Sequence, residues 1–115
     1  MYKLYHNPRC GKSRTCLTYF ETNGIEFELK PYLKTGISAN EVVQLMQNYA
    51  GNPLDLIRTN EPEWKTLNPS DQSMEQLAKL VEQHPILLQR PLVATADTTI
   101  IARPLENIEA VGLSI

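Results

Sequence analysis

The chain has 115 residues with 11 basic and 13 acidic side chains, a net charge of −2, which is enough to bury one hydrophobic core but not two; a single domain over residues 1–115 is expected. Balanced charge without a basic, aromatic-studded stripe argues against nucleic acid as the main partner. No apolar run follows Met1 or is long enough elsewhere to cross a bilayer, so neither signal peptide nor membrane segment is expected, and two cysteines form no disulfide framework, which suits a reducing, cytoplasmic setting.

Residues 2–6 alternate weakly and stop at Asn7-Pro8, which predicts a strand ending in a loop. From Lys12 to Asn23 the spacing of Cys16, Leu17 and Phe20 is helical, with Gly24 placed to end the helix. Ile25 to Leu29 alternates with period two and predicts a second strand with one buried face, ending at Lys30-Pro31. After a turn around Lys34-Thr35-Gly36, Ser38 and Glu41 form a Ser-x-x-Glu capping box before Val42, Leu45, Met46 and Tyr49, which share a helical face that Gly51 terminates. Asn52-Pro53 predicts a short helix carrying Leu54, Ile57 and Arg58. Between Asn60 and Pro69, two prolines around Trp64 and Leu67 allow one short helical piece at most.

Ser73 and Gln76 predict a further capped helix through Met74, Leu77, Ala78 and Val81 to about His84, whose place before Pro85 suits a capping cation. The runs 92–96 and 99–103, joined at Asp97-Thr98, predict a β-hairpin, and Pro104 opens a last short helix ended by Gly112. The order is β-α-β, a helical segment, then β-β-α. A strand-helix-strand opening implies a parallel pair and the hairpin adds antiparallel strands, so the expected fold is α/β, a four-stranded mixed sheet flanked by helices with a helical insertion between its two halves.

Chemistry concentrates in Tyr5 to Arg14. Cys10 falls where a strand turns into a helix, the place where a thiol becomes a nucleophile: an ordinary cysteine titrates near ~8.5, and a helix N-terminus with nearby cations can bring it to roughly 3.5–7.5. Lowering it by about two units takes about 2.7 kcal/mol, whereas a helix end supplies ~0.3–1 kcal/mol. Neighbours must supply the rest, and Arg9, Lys12, Arg14, the His6 imidazole, the Ser13 hydroxyl and the amides of Gly11 to Ser13 are candidates. The plain alternative for Cys10, a small buried hydrophobe, does not suit so polar a loop. Cys16 shares an apolar stripe with Leu17 and Phe20. Six helical residues place it about 9 Å along the axis and about 120° round from position 10, outside the ~7 Å Cα separation of a disulfide, so it reads as a core cysteine. Trp64 and Tyr49 read as packing residues. Two histidines and two cysteines six apart give no metal spacing.

The run His6-Asn7-Pro8-Arg9-Cys10-Gly11-Lys12-Ser13-Arg14 resembles the His-Asn-Pro-x-Cys-x-x-Ser-Arg signature of the ArsC family of arsenate reductases, thioredoxin-fold proteins that draw electrons from glutathione and glutaredoxin. Leu56-Ile57-Arg58, His84-Pro85-Ile86-Leu87 running into Arg90-Pro91-Leu92-Val93, and Arg103-Pro104 resemble the family's later blocks, so the likeness covers essentially the whole chain; ending at Ile115, it is similar to the short subgroup. The resemblance implies a thioredoxin-like fold with Cys10 as nucleophile, Arg58, Arg90 and Arg103 holding the oxyanion, His6 near enough to Cys10 to help keep it ionised, and Pro91 as a cis proline facing the cysteine. Gly11, Lys12, Ser13 and Arg14 would stabilise the thiolate. It further implies arsenate as substrate, no bound cofactor, glutathione as co-substrate and glutaredoxin as partner. Arginines suit such a site, because each can grip two oxygens of a tetrahedral anion.

Two other readings stay open: a glutathione-linked thiol oxidoreductase of the same fold acting on another substrate, and a non-enzymatic module similar to the Spx-like regulators that contact RNA polymerase. A redox-switch regulator would be expected to show Cys-x-x-Cys, and position 13 is serine.

Overall fold

The computed structural model describes residues 1–114. Its sheet has four strands, β1 (Tyr2–Tyr5), β2 (Phe27–Lys30), β3 (Leu92–Ala94) and β4 (Thr99–Ile101), in the order β2-β1-β3-β4. The β1–β2 pair is parallel, and β1–β3 and β3–β4 are antiparallel, the expected four-stranded mixed sheet. Helix α1 (Gly11–Thr22) makes the crossover between the parallel strands; α2 (Tyr32–Thr35), α3 (Ala39–Gln47), α4 (Pro62–Leu67) and α5 (Met74–Gln83) fill the stretch before the hairpin, and 3₁₀ turns occupy Pro53–Leu56, Pro85–Leu87 and Leu105–Val111.

Alternation along the two inner strands divides the core between the faces of the sheet. Leu4 and Val93 point to one side, where they pack with Cys16 and Phe20 of α1, Ala102 and Ile108. Tyr5, Leu92 and Ala94 point to the other, against Val42, Leu45 and Met46 of α3 and Leu77, Ala78 and Val81 of α5. Both faces are covered, so β3 is buried at every residue.

Register decides where the chemistry collects. Tyr5, the last residue of β1, pairs with Lys30, the last of β2, and with Leu92, the first of β3, which in turn pairs with Ile101, the last of β4. Everything that follows β1, β2 and β4 and precedes β3 therefore emerges at one end of the sheet: the loop to Cys10, Pro31-Tyr32, Arg103, and Arg90-Pro91. Arg58 is tied to the same end, since Ile57 bridges Leu88, Arg58 N–H donates to Leu87 O (2.7 Å) and Gln89 N–H donates to Leu56 O (2.8 Å).

Several expectations change in detail. β2 begins two residues later than predicted, at Phe27, and runs one further, to Lys30, at the sheet edge; Leu29, opposite Leu4 in register, is 42% exposed, so the alternation there does not mark a buried face. Tyr49 is outside α3, making an isolated bridge to Thr99, and α3 ends at Gln47 before Gly51 is reached. Arg58 is outside its predicted short helix, which closes at Leu56 as a 3₁₀ turn with Asn52 Oδ1 accepting from Leu54 N–H. Ser38 Oγ accepts from Glu41 N–H, but the Glu41 carboxylate does not return the bond: it accepts from Tyr5 Oη and pairs with Lys30 Nζ at 3.3 Å. The segment after Pro104 is 3₁₀, ended as predicted by Gly112 at φ 85°. No described helix is long and apolar enough to cross a membrane.

Candidate active site

Cys10 is the N-cap residue of α1, with an extended backbone (φ −94°, ψ 122°) and a half-buried thiol. The loop that carries it is knotted around two buried residues. Asn7 O accepts from Cys10 N–H (3.0 Å), Asn7 Oδ1 accepts from Arg9 N–H (2.9 Å), and Asn7 N–H donates to Ser13 Oγ (3.0 Å). The same Ser13 hydroxyl meets His6 Nδ1 at 2.8 Å. Arg14 reaches back over the loop, Nη1 donating to Pro8 O at 2.9 Å, and its amide donates to Cys10 O, the first hydrogen bond of α1.

Opposing influences act on the thiol. Burial raises its titration point, but the Ser13 amide, the Arg90 guanidinium and the Lys12 amide favour the thiolate, and the net result lies below the ordinary thiol value. The helix N-terminus and one arginine thus supply the stabilisation. Ser13 and Lys12 act through their backbone N–H groups; the Ser13 hydroxyl is committed to His6 and Asn7. Arg14 is committed to Pro8, and the leading influences on the thiol are the two amides and Arg90 and not the exposed charges of Arg9, Lys12 and Arg14.

His6 differs from the expectation drawn from the resemblance. Burial lowers its titration below the ordinary 6.5 and the charge of Arg14 lowers it further, against opposing effects of Ser13 and Glu21. The imidazole is neutral at pH 7 and bonds Ser13, so it holds the loop and does not act on the thiol as a charge. Cys16 is fully buried and burial pushes its thiol up to about 12, as suits a core cysteine.

The three arginines are divided. Arg90 and Arg58 converge on one carboxylate: Arg58 Nε donates to Glu61 Oε1 at 2.9 Å, and Arg90 Nη1 lies 3.6 Å from the same oxygen. Arg58 Nη1 also donates to Gln89 Oε1 (3.2 Å). Arg90 Nε and Nη1 are buried and have no hydrogen-bond partner among the described residues. Arg103 anchors to the backbone, Nη1 donating to Arg90 O at 3.2 Å, and lines an open cleft of about 750 Å³ with Cys10, Lys12, Arg14, Thr15 and Thr18. The Arg90–Pro91 peptide is cis, and so is Arg103–Pro104.

Two site residues were not anticipated from sequence. Glu61 carries no helical signal toward Arg58, since a turn at Thr59-Asn60 separates the two and neither lies within a helix. Tyr32 follows Pro31 at the shared strand end; it is buried, its hydroxyl meets Leu88 O at 3.4 Å, and burial pushes its titration up to about 12 against the pull of Arg90 and Arg58, so it stays a hydrogen-bond donor beside the thiol and both arginines.

The assembly is an activated thiol next to a buried, incompletely bonded guanidinium, with two further arginines on either side, a set suited to nucleophilic attack on an oxyanion. The arsenate reductase of Neisseria meningitidis serogroup A is 34% identical over 112 residues, covering 95% of this chain and 96% of that one. A protein of Escherichia coli K12 named YfgD, described as uncharacterized, is 38% identical over 114 residues, with 96% of each covered. The structure of an arsenate reductase from Vibrio cholerae superposes with a TM-score of 0.88 at 33% identity, over 96% of both chains. A family model described as "ArsC family" matches residues 5–111, and the chain belongs to the ArsC family.

Proposed function

We propose that this protein is an arsenate reductase that takes its electrons from glutathione and glutaredoxin in the cytoplasm. The observation that carries the reading is the Cys10 thiol with its titration lowered by the Ser13 and Lys12 amides and by Arg90, whose remaining buried donors are free to receive an anion. A thiolate approaching an oxyanion is one anion approaching another: at ~4 Å and an effective dielectric of ~20, each like-charge pair costs about 4 kcal/mol. Arg90, flanked by Arg58 and Arg103, offsets that repulsion and orients the tetrahedral oxygens.

In the first step the Cys10 sulfur forms a bond to arsenic(V), and one arsenate oxygen leaves as hydroxide, which takes a proton to become water. A glutathione thiolate then attacks the Cys10 sulfur. The sulfur–arsenic bond breaks with its electron pair staying on arsenic, which departs as arsenite, arsenic(III), while the two sulfurs form a mixed disulfide. A glutaredoxin thiolate attacks the glutathione sulfur of that disulfide and restores the Cys10 thiolate. Tyr32, a donor at neutral pH, gives its hydroxyl to Leu88 O at 3.4 Å, within electrostatic reach of Cys10, Arg90 and Arg58.

The test gives the purified protein arsenate, glutathione and glutaredoxin and follows arsenite for wild type, Cys10→Ser and Cys16→Ser. Turnover by wild type and Cys16→Ser but not by Cys10→Ser is expected. No arsenite from the wild type refutes the substrate, and the second reading, a thiol oxidoreductase of the same fold with another substrate, then takes its place; turnover in Cys10→Ser refutes the mechanism.

A further inference from the structure

Glu61 stands at the N-cap of α4, yet its carboxylate makes no capping bond there. It turns instead to the arginines, with one oxygen shared between Arg58 Nε and Arg90 Nη1. All three side chains are largely removed from water, 18% exposed for Arg58 and Glu61 and 12% for Arg90. A carboxylate is a planar monoanion, and it leaves the cluster short of acceptors: Arg90 Nε and Nη1 remain buried without a hydrogen-bond partner among the described residues. A tetrahedral oxyanion presents more oxygens in more directions and can satisfy those donors. Two guanidiniums so little exposed also cannot stand without a counter-charge at low cost.

We propose that Glu61 is a resident counter-anion, which holds the place of the oxyanion on Arg58 and Arg90 in the resting protein and swings off them when the oxyanion binds. The inference rests on the reading of this cluster as the oxyanion site. The residues before Glu61, Thr59 and Asn60, form an exposed turn, so its side chain has solvent to move into. Glu61 then competes from within the protein. The apparent dissociation constant of an anion rises by the reciprocal of the fraction of molecules in which the arginines are vacated, and by the same factor for every anion that uses both of them. A strut that merely positioned the arginines would do the opposite, because its loss would weaken binding.

The experiment compares Cys10→Ser with the double variant Cys10→Ser/Glu61→Gln, so that no turnover occurs. Each is titrated by calorimetry with inorganic arsenate and, separately, with inorganic sulfate, and each is melted with and without the anions. Tightening on the order of tenfold is expected on Glu61→Gln, equivalent to ~1.4 kcal/mol, and equal for the two anions. The double variant is also expected to melt lower than Cys10→Ser without anion and to recover when either anion is added, since a ligand stabilises the fold it binds by an amount that grows with the logarithm of its concentration over its dissociation constant. Unchanged or weaker binding in the double variant, unequal factors for the two anions, or a lowered melting temperature that anions do not restore would each overturn the counter-anion role. Failure of both proteins to bind either anion would instead remove the oxyanion site itself, and with it the reading on which the inference stands.

Discussion

Ser13→Ala is the sharpest test of how the loop presents its thiol. The Ser13 side chain is fully buried and its single oxygen serves two partners, His6 Nδ1 at 2.8 Å and Asn7 N–H at 3.0 Å, with Asn7 only 2% exposed. Alanine removes the oxygen and leaves a buried amide donor and a buried ring nitrogen without partners. Each unsatisfied group costs about 1–3 kcal/mol; the two depend on one hydroxyl and are not independent, so a loss of about 2–4 kcal/mol is expected. Against a total stability of order 5–15 kcal/mol, the variant still folds. The chemical effect follows from the same loss. With Asn7 no longer pinned to Ser13, the loop holding Cys10 N–H on Asn7 O is released, the thiol leaves the amides of Ser13 and Lys12, and its titration rises. Urea unfolding measures the first effect and the pH profile of iodoacetamide alkylation measures the second. A variant within ~0.5 kcal/mol of wild type with an unchanged alkylation profile would refute the loop account.

Arg90→Gln removes a guanidinium that favours the thiolate, so the alkylation profile is expected to move to higher pH and kcat/KM for arsenate to fall on the order of 10²-fold or more; the same change made at Arg14, an exposed charge screened by water, is expected to move the profile far less. Cys16, fully buried with its thiol pushed up to about 12, is expected to resist alkylation in the native protein and react only after unfolding, while Cys16→Ala costs about 1 kcal/mol of packing and keeps activity; mass spectrometry of the labelled protein checks this by counting modified thiols. The lowered titration of His6 sets a pH dependence: above its ordinary 6.5 both folded and unfolded states hold it neutral and stability is unaffected, whereas below 6.5 the unfolded chain takes up a proton that the fold resists, and stability falls until the folded value is passed. The slope reaches at most ~1.36 kcal/mol per pH unit, and His6→Gln is expected to flatten it in urea melts taken between about pH 7 and 5.5.

The parts of the fold written in local spacing were legible in the sequence, and those set by contact at a distance were not. Gly24 and Gly112, Ser38 and Ser73, and the period of Val42, Leu45 and Met46 announce their elements because the physics is local: a positive φ, an amide to be capped, a face to be buried. Leu29 misleads because alternation records a preference for burial, while an edge position leaves the residue exposed whatever its pattern. At Glu41 the reciprocal half of the capping box lost to Tyr5 and Lys30, partners that sequence spacing cannot name. In the candidate site, Cys10 and the helix behind it were readable for the same local reason. Glu61 and Tyr32 were not, since their nearness to Arg90 depends on the register Tyr5–Lys30 and Tyr5–Leu92 and on the bridge between Ile57 and Leu88.

That division explains why the cations beside Cys10 in sequence count for less than their number suggests. On a helix N-terminus, side chains at Lys12 and Arg14 project outward, and both are exposed, where water screens them; what these residues bring to the thiol is backbone, and only at Lys12 and Ser13. Hydrogen bonds from two amides are fixed by the helix and do not change when an anion arrives. Arg90 comes from the far end of the chain through the antiparallel pairing of β1 with β3, is largely buried, and keeps N–H donors unfilled. It is therefore the one contributor that can respond to both the thiolate and an incoming oxyanion, and its response is set by Glu61, the carboxylate 3.6 Å away. The local loop thus fixes the position of the nucleophile, and the sheet supplies the charge that an oxyanion would engage.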